Sequence, residues 1–430
     1  MKLSYFRGKL PYISIFIFLL FISIFIYSKT NNSSRDTTQP PDRHSPAAAP
    51  KTTEDKAWDI ALEGYKHLEN GNSGEALRCF QESLKLNPDS GKVLNAMGKA
   101  LIASGKPDEA LRYYTMSDEK QPDNRENHID MSYVYMIRKD YDKALNILDS
   151  LPEKEKENPV TLFAAGFINA NRNDYNKALP YYDKAVASDP ENWQYRLYRA
   201  FTHIKLRNLE KAKADAEFAL TRQPGLITCQ LALAEIEWAL GNKQASIEAY
   251  DKAIKMDENY KPANIYDQYL HRENPHLGRA IVYWDLHEYD KALSDLDSVI
   301  STRDNSKSIA YLYKALIYMD KGDNAKAREN AKQWDSSPKE DLEHWQQPEL
   351  ALSEAECYLL LGEKNKAKQL LKGFKPKTAA FYGDRGSIYE RLGMNKEAIA
   401  DYKVFLKQAP EGDDKTEVSN RLNALAHKIR

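Results

Sequence analysis

The side chains that could carry out chemistry are few and widely separated along the chain. Nine histidines could bind a metal or transfer protons, but the closest pair, His271 and His276, would lie about 140° apart around a helix. The three cysteines, Cys79, Cys229 and Cys357, are too far apart in the sequence for a disulfide framework or a zinc ligand pair, so we expect buried thiols. The sequence also lacks motifs for phosphate-binding loops, zinc proteases, redox dithiols and serine hydrolases. It therefore predicts no catalytic residue, no metal site and no cofactor.

The overall composition excludes further classes of function. The chain of 430 residues carries 62 Lys and Arg against 63 Asp and Glu, which gives a net charge of -1. A nucleic-acid-binding protein needs a basic surface to displace the counterions of the phosphates, so no nucleic acid is expected as a partner. The clustered charges of residues 153–157 are typical of a solvated face or loop rather than of paired catalytic carboxylates.

The amino-terminal part of the sequence is typical of a membrane anchor. A short basic segment, residues 1–9, precedes an uncharged run rich in Ile, Phe and Leu at residues 10–27. As a helix this run would extend for about 27 Å, enough to cross a bilayer with little tilt. A cleavable signal peptide is the alternative, but small residues for a cleavage site lie too far downstream. We expect a transmembrane helix at 10–27, followed by a flexible polar linker at 28–56.

The positions of the basic residues predict the orientation of this helix. Lys2, Arg7, Lys9 and the amino terminus precede the run, whereas only Lys29 and Arg35 follow closely. Basic residues near a span are retained on the cytoplasmic side. We therefore expect a cytoplasmic amino terminus and an extracytoplasmic or periplasmic remainder, with the opposite topology as the alternative.

From residue 57 onward the sequence repeats itself. The repeat is marked by a small residue near the start of a second helix, with five successive intervals of 34 residues: Ala76, Ala110, Ala144, Ala178, Ala212, Ser246, Ala292, Ala327, Ala367 and Ala398. Twelve residues before each marker stands another small residue: Gly64, Gly98, Ser132, Gly166, Ala200, Ala234, Ala280, Ala315, Ala355 and Gly386. Two short helices approach closely where side chains are small, so each repeat is expected to form a helical hairpin.

Breaking residues occur where such a hairpin would turn. Glycines that could adopt a positive φ and end the first helix fall between the two helices: Gly71, Gly105, Gly241, Gly322, Gly362 and Gly393. Prolines that could end the second helix follow at Pro88, Pro122, Pro190, Pro224 and Pro410. Helices this short are marginal in water, so each hairpin must bury its apolar face against the next.

The repeat resembles the tetratricopeptide repeat (TPR) family. That family has a 34-residue unit with small residues at positions eight and twenty, an aromatic near twenty-four and Pro near thirty-two. The first repeat shows this pattern in Gly64, Ala76, Phe80 and Pro88, and the last in Gly386, Ala398, Tyr402 and Pro410. The resemblance implies an all-α solenoid of about ten hairpins in a right-handed superhelix, which binds peptides or whole proteins in its concave groove.

The repeats and the longer intervals between them predict the domain organisation. Repeats one to six occupy residues 57–258 and repeats seven to ten residues 273–411. Between them, residues 259–272 are an insertion that acts as a hinge or a binding element, or else merely lengthens a helix. Residues 412–430 have apolar side chains at helical spacing and are expected to form a capping helix.

The resemblance also implies which side chains face the groove. Position nine of the first helix is aromatic in four of the first five repeats, and positions five and twelve extend the apolar character. The residues expected to contact a partner are Tyr65, Lys99, Tyr133, Phe163, Phe167, Phe201, Trp238 and Trp284. Packing between neighbouring helices is the alternative role of these rings.

Chaperone-binding members of the family clamp a partner's terminal carboxylate with basic and amide side chains. The corresponding positions here are Ala61, Tyr65, Ala96, Glu126 and Asp130. Acids stand where the cations would be needed, so a cofactor of that kind is disfavoured.

We expect a non-enzymatic, membrane-anchored scaffold that binds protein or peptide partners, outside the cytoplasm. Two alternatives remain open from the sequence. The same solenoid could face the cytoplasm as an adaptor for a membrane complex, or it could be an accessory subunit of an envelope polysaccharide or surface-assembly enzyme.

Overall fold

The computed structural model of the chain describes residues 52–258, 274–302, 306–338, 350–376, 378–409 and 413–429. The predicted basic segment 1–9, the predicted transmembrane helix 10–27, most of the linker 28–56 and the insertion 259–272 lie outside the described residues. Among the helices that are described, none is both long enough and apolar enough to cross a bilayer.

The described residues form 22 helices and no strand. In chain order they are α1 (Thr53–Glu69), α2 (Ser73–Leu86), α3 (Gly91–Ala103), α4 (Pro107–Lys120), α5 (Arg125–Ile137), α6 (Tyr141–Asp149), α7 (Glu153–Lys156), α8 (Pro159–Asn171), α9 (Tyr175–Ser188), α10 (Trp193–Lys205), α11 (Leu209–Arg222), α12 (Ile227–Ala239), α13 (Lys243–Glu258), α14 (Pro275–Asp285), α15 (Tyr289–Ser301), α16 (Lys307–Asp320), α17 (Asn324–Ser336), α18 (Leu350–Leu361), α19 (Lys364–Gly373), α20 (Ala379–Arg391), α21 (Asn395–Gln408) and α22 (Asp413–Ile429). Twenty of them pair as the ten predicted hairpins.

Two helices fall outside the hairpins. The four-residue helix α7 lies between the third and fourth hairpins, in the charged stretch that was expected to be a solvated face or loop, and its side chains are exposed or half-buried. Helix α22 packs its Val418 and Leu425 into the core of the last hairpin, and Arg421 donates a hydrogen bond to the Ser387 hydroxyl at 3.2 Å. The expected capping helix is therefore present among the described residues.

The first helix begins earlier than the sequence predicted. Thr52 caps α1: its hydroxyl accepts a hydrogen bond from the Asp55 backbone N–H, and the Asp55 carboxylate accepts one from the Thr52 backbone N–H. This reciprocal cap satisfies two amide groups that a helix start leaves unpaired. The last residues of the predicted linker 28–56 therefore belong to α1.

The chain divides into two compact units. Among the described residues, the N-terminal unit contains 52–232 and 257–258, and the C-terminal unit contains 233–256 and those from 274 onward. The division falls inside helix α12, one hairpin before the predicted joint at 259–272. Each unit has its own buried apolar side chains.

Close approach within each hairpin depends on the small residue predicted at position eight. A Cβ atom added to Gly64 would lie 2.7 Å from the Phe80 ring, and one added to Gly98 would lie 2.4 Å from the Tyr114 ring. The same contact recurs in the last hairpin, where a Cβ on Gly386 would lie 2.7 Å from the Tyr402 ring. Glycine thus leaves the space into which the aromatic side chain of the second helix packs.

A buried ion pair joins the two helices in three of the hairpins. In the C-terminal unit, Arg279 of α14 donates two hydrogen bonds to the Asp295 carboxylate of α15, at 2.9 and 2.6 Å. The same bidentate pair, sixteen residues apart in sequence, recurs as Arg199 with Asp215 and as Arg385 with Asp401. Planar guanidinium and carboxylate groups bind in this paired geometry with strong directional preference. These pairs, which sequence analysis missed, fix the two helices of a hairpin against each other.

The turn inside each hairpin contains one residue in the left-handed backbone conformation, and this residue is glycine in only some of the hairpins. The six predicted glycines have φ between 74° and 87°. In the other four hairpins the corresponding residues are Lys139, Asn173, Arg207 and His287, with φ between 62° and 65°. A left-handed backbone costs about 1–2 kcal/mol for a residue with a Cβ atom, so these turns carry strain.

Replacing Lys139 by glycine is expected to raise the free energy of unfolding by about 0.5–1 kcal/mol. The gain of about 1–2 kcal/mol from relieving the left-handed backbone exceeds the entropy that glycine loses on folding. Urea unfolding followed by circular dichroism measures the change. The converse substitution, Gly105→Ala, has open space around its Cβ and a φ of 75°, so it should lower stability through the backbone alone. Equal stability of Lys139→Gly and the wild type would contradict the expected strain.

Two of the three cysteines are buried as predicted, and one is not. Cys229 and Cys357 are buried, whereas Cys79 is half-buried. Burial raises the pKa of the Cys229 thiol to about 12, which keeps it protonated and unreactive at neutral pH. Nothing in the arrangement of these thiols suggests chemistry.

Candidate partner-binding surface

The first helices of hairpins one to three form a continuous surface in the N-terminal unit. Helix α1 presents Trp58, Leu62 and Tyr65 at a spacing of four and three residues, which places them on one face. Trp58 is 40% exposed and Leu62 is 43% exposed, and Tyr65 is half-buried between them and the core. Five large apolar side chains are exposed among the described residues, and these two occupy consecutive turns of one helix.

Tyr65 is held in place by contacts to three neighbours. Its ring packs edge to face on Phe80 with centroids 5.2 Å apart, and it also meets the Trp58 ring at 6.3 Å. Its hydroxyl donates a hydrogen bond to the backbone carbonyl of Lys92, at the start of α3, at 3.2 Å. The Lys92 ammonium in turn lies 5.8 Å from the centroid of the Trp58 ring. These contacts connect α1 to α3 and orient the exposed indole.

A polar network continues the surface from α3 to α5. The Lys99 ammonium pairs with the Glu126 carboxylate and lies 3.5 Å from the Asp130 carboxylate. The Asn95 side-chain amide donates hydrogen bonds to the Asp130 carboxylate at 2.9 Å and to the side-chain oxygen Oδ1 of Asn127 at 3.1 Å. Asp130 is buried, whereas Glu126 is exposed to solvent. The network therefore fixes one carboxylate inside the protein and presents the other at the surface.

Burial and charge shift the pKa values of this network in opposite directions. Burial raises the pKa of Asp130 to about 6, although the neighbouring Lys99 acts against this shift. Burial alone would lower the pKa of Lys99, but Asp130 and Glu126 outweigh it and raise that pKa. The Lys99 ammonium lowers the pKa of Glu126. At neutral pH Lys99 is thus a stable cation shared by two carboxylates.

We name as the N-terminal patch the side chains of these three helices that remain open to solvent or border the opening. The patch consists of Trp58, Leu62, Tyr65, Lys92, Lys99 and Glu126. It combines an apolar end on α1 with a charged end on α5. No chemistry beyond non-covalent binding follows from these groups, and within the described parts of the chain no three His, Cys, Asp or Glu side chains are placed to hold a metal ion.

Replacing Asp130 by asparagine should change how stability depends on pH. The raised pKa means that the folded state holds a proton on Asp130 which the unfolded chain releases near pH 4. The stabilisation that this proton provides is fully present below about pH 4 and is lost as the pH rises through about 6. The variant should therefore gain stability relative to the wild type between pH 4 and 7. Urea unfolding of both proteins at the two pH values tests this, and a pH-independent difference would be the contrary result.

The remaining predicted contacts of the N-terminal unit are buried. Tyr133, Phe163, Phe167 and Phe201 are all buried, and their rings pack with Tyr198 in an aromatic cluster. The Phe163 and Tyr198 centroids are 4.9 Å apart, and those of Phe167 and Tyr198 are 5.5 Å apart. These rings therefore stabilise packing between hairpins here, and their contact with a partner stays a prediction. Truncating one would cost about 3–5 kcal/mol, so loss of binding in such a variant could reflect unfolding.

The two predicted tryptophans of the C-terminal unit take part in a repeated contact between neighbouring first helices. The Trp238 indole N–H donates a hydrogen bond to the Asp285 carboxylate at 3.2 Å, and that of Trp284 donates one to Asp320 at 2.7 Å. Trp284 is buried and Trp238 is half-buried. Trp284 therefore connects helices rather than offering surface.

The structure thus brings Tyr65 and Lys99 together at an open surface and places the aromatic residues of later hairpins inside the protein. Trp58, Leu62 and Lys92 are not among the contact residues predicted from the sequence. The available signal was their place at the second and sixth positions of the first helix of a repeat.

Comparisons with known proteins identify one family. Three tetratricopeptide repeat models match the chain, the first at residues 67–128 and 101–160, the second at 227–260 and 379–411, and the third at 170–226 and 277–341. Together these matches cover about two thirds of the sequence. Among curated protein sequences no match is found.

Several solved structures are similar to this chain. A tetratricopeptide repeat protein from Parabacteroides merdae is 17% identical with a TM-score of 0.40, over 66% of this chain and 95% of that one. PilF of Pseudomonas aeruginosa is 16% identical with a TM-score of 0.42, over 50% of this chain and 97% of that one. YrrB, described as a TPR protein with an unusual peptide-binding site, is 15% identical with a TM-score of 0.33, over 45% of this chain and 98% of that one.

Proposed function

Because the chain belongs to the tetratricopeptide repeat family, we propose that it is a non-enzymatic scaffold that binds a peptide or protein segment on the N-terminal patch. The hairpins provide rigid helices on which the patch is held. Binding on such a surface requires no catalytic group.

One observation supports placing the proposed binding site on the N-terminal patch. Trp58 and Leu62 are exposed on consecutive turns of α1, beside side chains whose positions are fixed by hydrogen bonds and ring contacts. Apolar anchors that become buried on binding supply most of the affinity of a typical interface, and Trp is prominent among them. Preorganised neighbours reduce the entropy lost when a partner docks.

Substitutions of exposed leucine and methionine test the proposal. Partners of the full chain are crosslinked in intact cells and quantified by mass spectrometry. The Leu62→Ser variant should recover at least about tenfold less of each partner than the wild type, which corresponds to a loss of about 1.4 kcal/mol of binding free energy. Met116 of α4 is 45% exposed, so Met116→Ser is a matched control that removes a similar area elsewhere. Equal recovery by the two variants would remove the N-terminal patch from consideration.

We further propose that residues 10–27 anchor the scaffold in a membrane and that the hairpins lie outside the cytoplasm. The uncharged length of the segment and the excess of basic residues before it support this topology. The partners would then be envelope or secreted proteins. A reporter enzyme that is active only outside the cytoplasm, fused after Arg430, should be active, and an inactive but intact fusion would support a cytoplasmic scaffold instead.

A further inference from the structure

We propose that helix α19 of the C-terminal unit carries a second docking surface, which binds an acidic segment of a partner protein through a stripe of lysines. The lysine stripe consists of Lys364, Lys368, Lys372 and Lys375. It belongs to a different unit from the N-terminal patch, so the inference goes beyond the proposed function and does not depend on it. It follows from the register of these lysines, from their lack of ion pairs and from the absence of acids along the helix.

Three lysines of the stripe recur every four residues along α19. Lys364, Lys368 and Lys372 therefore lie on successive turns of one side of the helix. Ala367 and Leu371 form the buried face beside them. The side chains of Lys364 and Lys372 are exposed, and that of Lys368 is half-buried. At a rise of 1.5 Å per residue, the three lysines extend along about 12 Å of the helix.

The end of the stripe is held in place by contacts from helix α20. Arg385 donates a hydrogen bond to the backbone carbonyl of Phe374 at 2.7 Å, and the Phe374 ring is buried. The Tyr389 hydroxyl donates one to the backbone carbonyl of Leu371 at 3.4 Å. These contacts fix the backbone directly before Lys375, whose side chain is exposed. The stripe is therefore presented on a fixed backbone.

The positive charge of the stripe is not balanced within the described parts of the chain. None of its four lysines forms an ion pair with a described residue, whereas Lys366 of the same helix lies 3.8 Å from the Asp335 carboxylate. Glu363 directly precedes the helix, and the next acid along the chain is Asp384, which is buried. Each of the other nine second helices contains at least one Asp or Glu, and α19 contains none.

This arrangement is unfavourable for the helix itself. Like charges four residues apart repel each other on a helix surface, and the stripe contains two such pairs. Carboxylates supplied by a partner would relieve this repulsion. Complementary charge of this kind determines which partners bind and how fast they associate.

The chemistry of the stripe favours an acidic polypeptide over other polyanions. Arginine is the residue of choice for recognising phosphates and nucleic acids, and the stripe contains only lysines. Single-stranded nucleic acids also stack on aromatic rings. The half-buried Tyr358 ring has the Lys366 ammonium 5.0 Å from its centroid, so that face is covered.

A lipid surface is disfavoured because an interfacial helix buries apolar side chains among the lipids. All five large apolar side chains that are exposed among the described residues lie between residues 58 and 137, in the N-terminal unit. An extended peptide advances about 3.3 Å per residue, so an acidic run of about four or five residues matches the length of the stripe.

Fluorescence anisotropy of a labelled peptide of eight glutamates, titrated with the purified full chain in detergent, tests the inference. The wild type should bind the peptide, and raising the salt concentration should weaken binding, because the contact is electrostatic. Replacing Lys364, Lys368 and Lys372 together by glutamine should weaken binding at least about tenfold. Arginine at the same three positions keeps the charge and should keep the binding.

A matched control removes three lysines that do not share a helix. Lys252→Gln, Lys332→Gln and Lys396→Gln, combined in one chain, change exposed side chains on α13, α17 and α21 that form no ion pair with a described residue. This variant has the same net charge as the stripe variant and should bind the peptide as the wild type does. Leu62→Ser should also leave this binding unchanged, since the N-terminal patch takes no part in it. Circular dichroism checks that all variants remain helical.

Three results would overturn the inference. Equal weakening in the stripe variant and the control would show a response to net charge alone. Vesicles of phosphatidylglycerol, or an oligothymidine of twelve nucleotides, that bind through the stripe more tightly than the peptide would assign the surface to lipid or nucleic acid. The chain's own residues 339–349 include Glu340, Asp341 and Glu343. Peptide binding that begins only when these three are replaced by glutamine would identify that segment as the occupant in place of a partner.

Discussion

Replacing Asp295 by alanine is expected to lower the free energy of unfolding by about 3–5 kcal/mol. Asp295 is buried and accepts two hydrogen bonds from Arg279 and one from His276, the last at 2.8 Å. Burial acts to raise the pKa of Asp295, but these hydrogen bonds outweigh it and hold that pKa below its usual value. Among the described residues, removing the carboxylate leaves the largely buried Arg279 guanidinium with Asp251 as its remaining ionic partner. A buried charge that loses its bidentate partner costs far more than the loss of an exposed ion pair.

A matched substitution separates this effect from a general loss of surface charge. Asp290 pairs with Lys321, but its side chain is 91% exposed, so Asp290→Ala should change stability far less than Asp295→Ala does. Urea unfolding of both variants, followed by circular dichroism, gives the comparison. If the free energy of unfolding fell by a similar small amount in both variants, the ion pair between Arg279 and Asp295 would contribute no more to stability than an exposed ion pair does.

The second large effect is expected from Gly98→Ala in the N-terminal unit. The added Cβ would lie 2.4 to 2.7 Å from three ring atoms of Tyr114, which is buried and has no room to withdraw. Overpacking of this kind costs about 1–3 kcal/mol, and the rigid ring places this site at the upper end of the range. The measured quantity is again the free energy of unfolding.

Two further variants show whether the ring causes the loss. Gly74 has open space around it at the start of α2, so Gly74→Ala should be neutral or slightly stabilising. In the double variant Gly98→Ala with Tyr114→Leu, the combined loss should be smaller than the sum of the two single losses, because the clash is gone. Strict additivity would contradict the steric explanation.

The sequence was sufficient to predict the architecture because its strongest signals are local. Small residues such as Gly98 recur at fixed intervals, and helices α2, α4, α9 and α11 each end two residues before a predicted proline. The left-handed turns were predicted only where the residue is glycine. Lys139, Arg207 and His287 adopt the same conformation because the hairpin around them determines it, and their residue types give no sign of it.

The candidate site was only partly predictable, because exposure depends on packing between hairpins. Position nine selected Tyr65 and Lys99 for the groove, and in the structure Tyr65 contacts the start of α3 while Lys99 lies on α3 itself. The same position in later hairpins holds Phe167 and Phe201, which are buried among other rings. A periodic pattern predicts on which face of a helix a side chain lies, but it does not predict whether neighbouring helices cover that side chain.

The paired charges were missed for a related reason. Arg279 and Asp295 are sixteen residues apart and lie on different helices, so no helical periodicity connects them. Their contact appears only when the two helices pack against each other. Once the hairpin is known, the same two positions predict the pairs at Arg199 and Arg385.

Photo-crosslinking from Leu62 tests most directly the central claim that the first helices of hairpins one to three bind a partner. A photoreactive amino acid replaces Leu62 in one version of the full chain and Leu86, an exposed residue of α2, in another. Irradiation of intact cells should give a discrete crosslinked product from position 62 and little from position 86. Equal products from both positions, or a product only from position 86, would contradict the account.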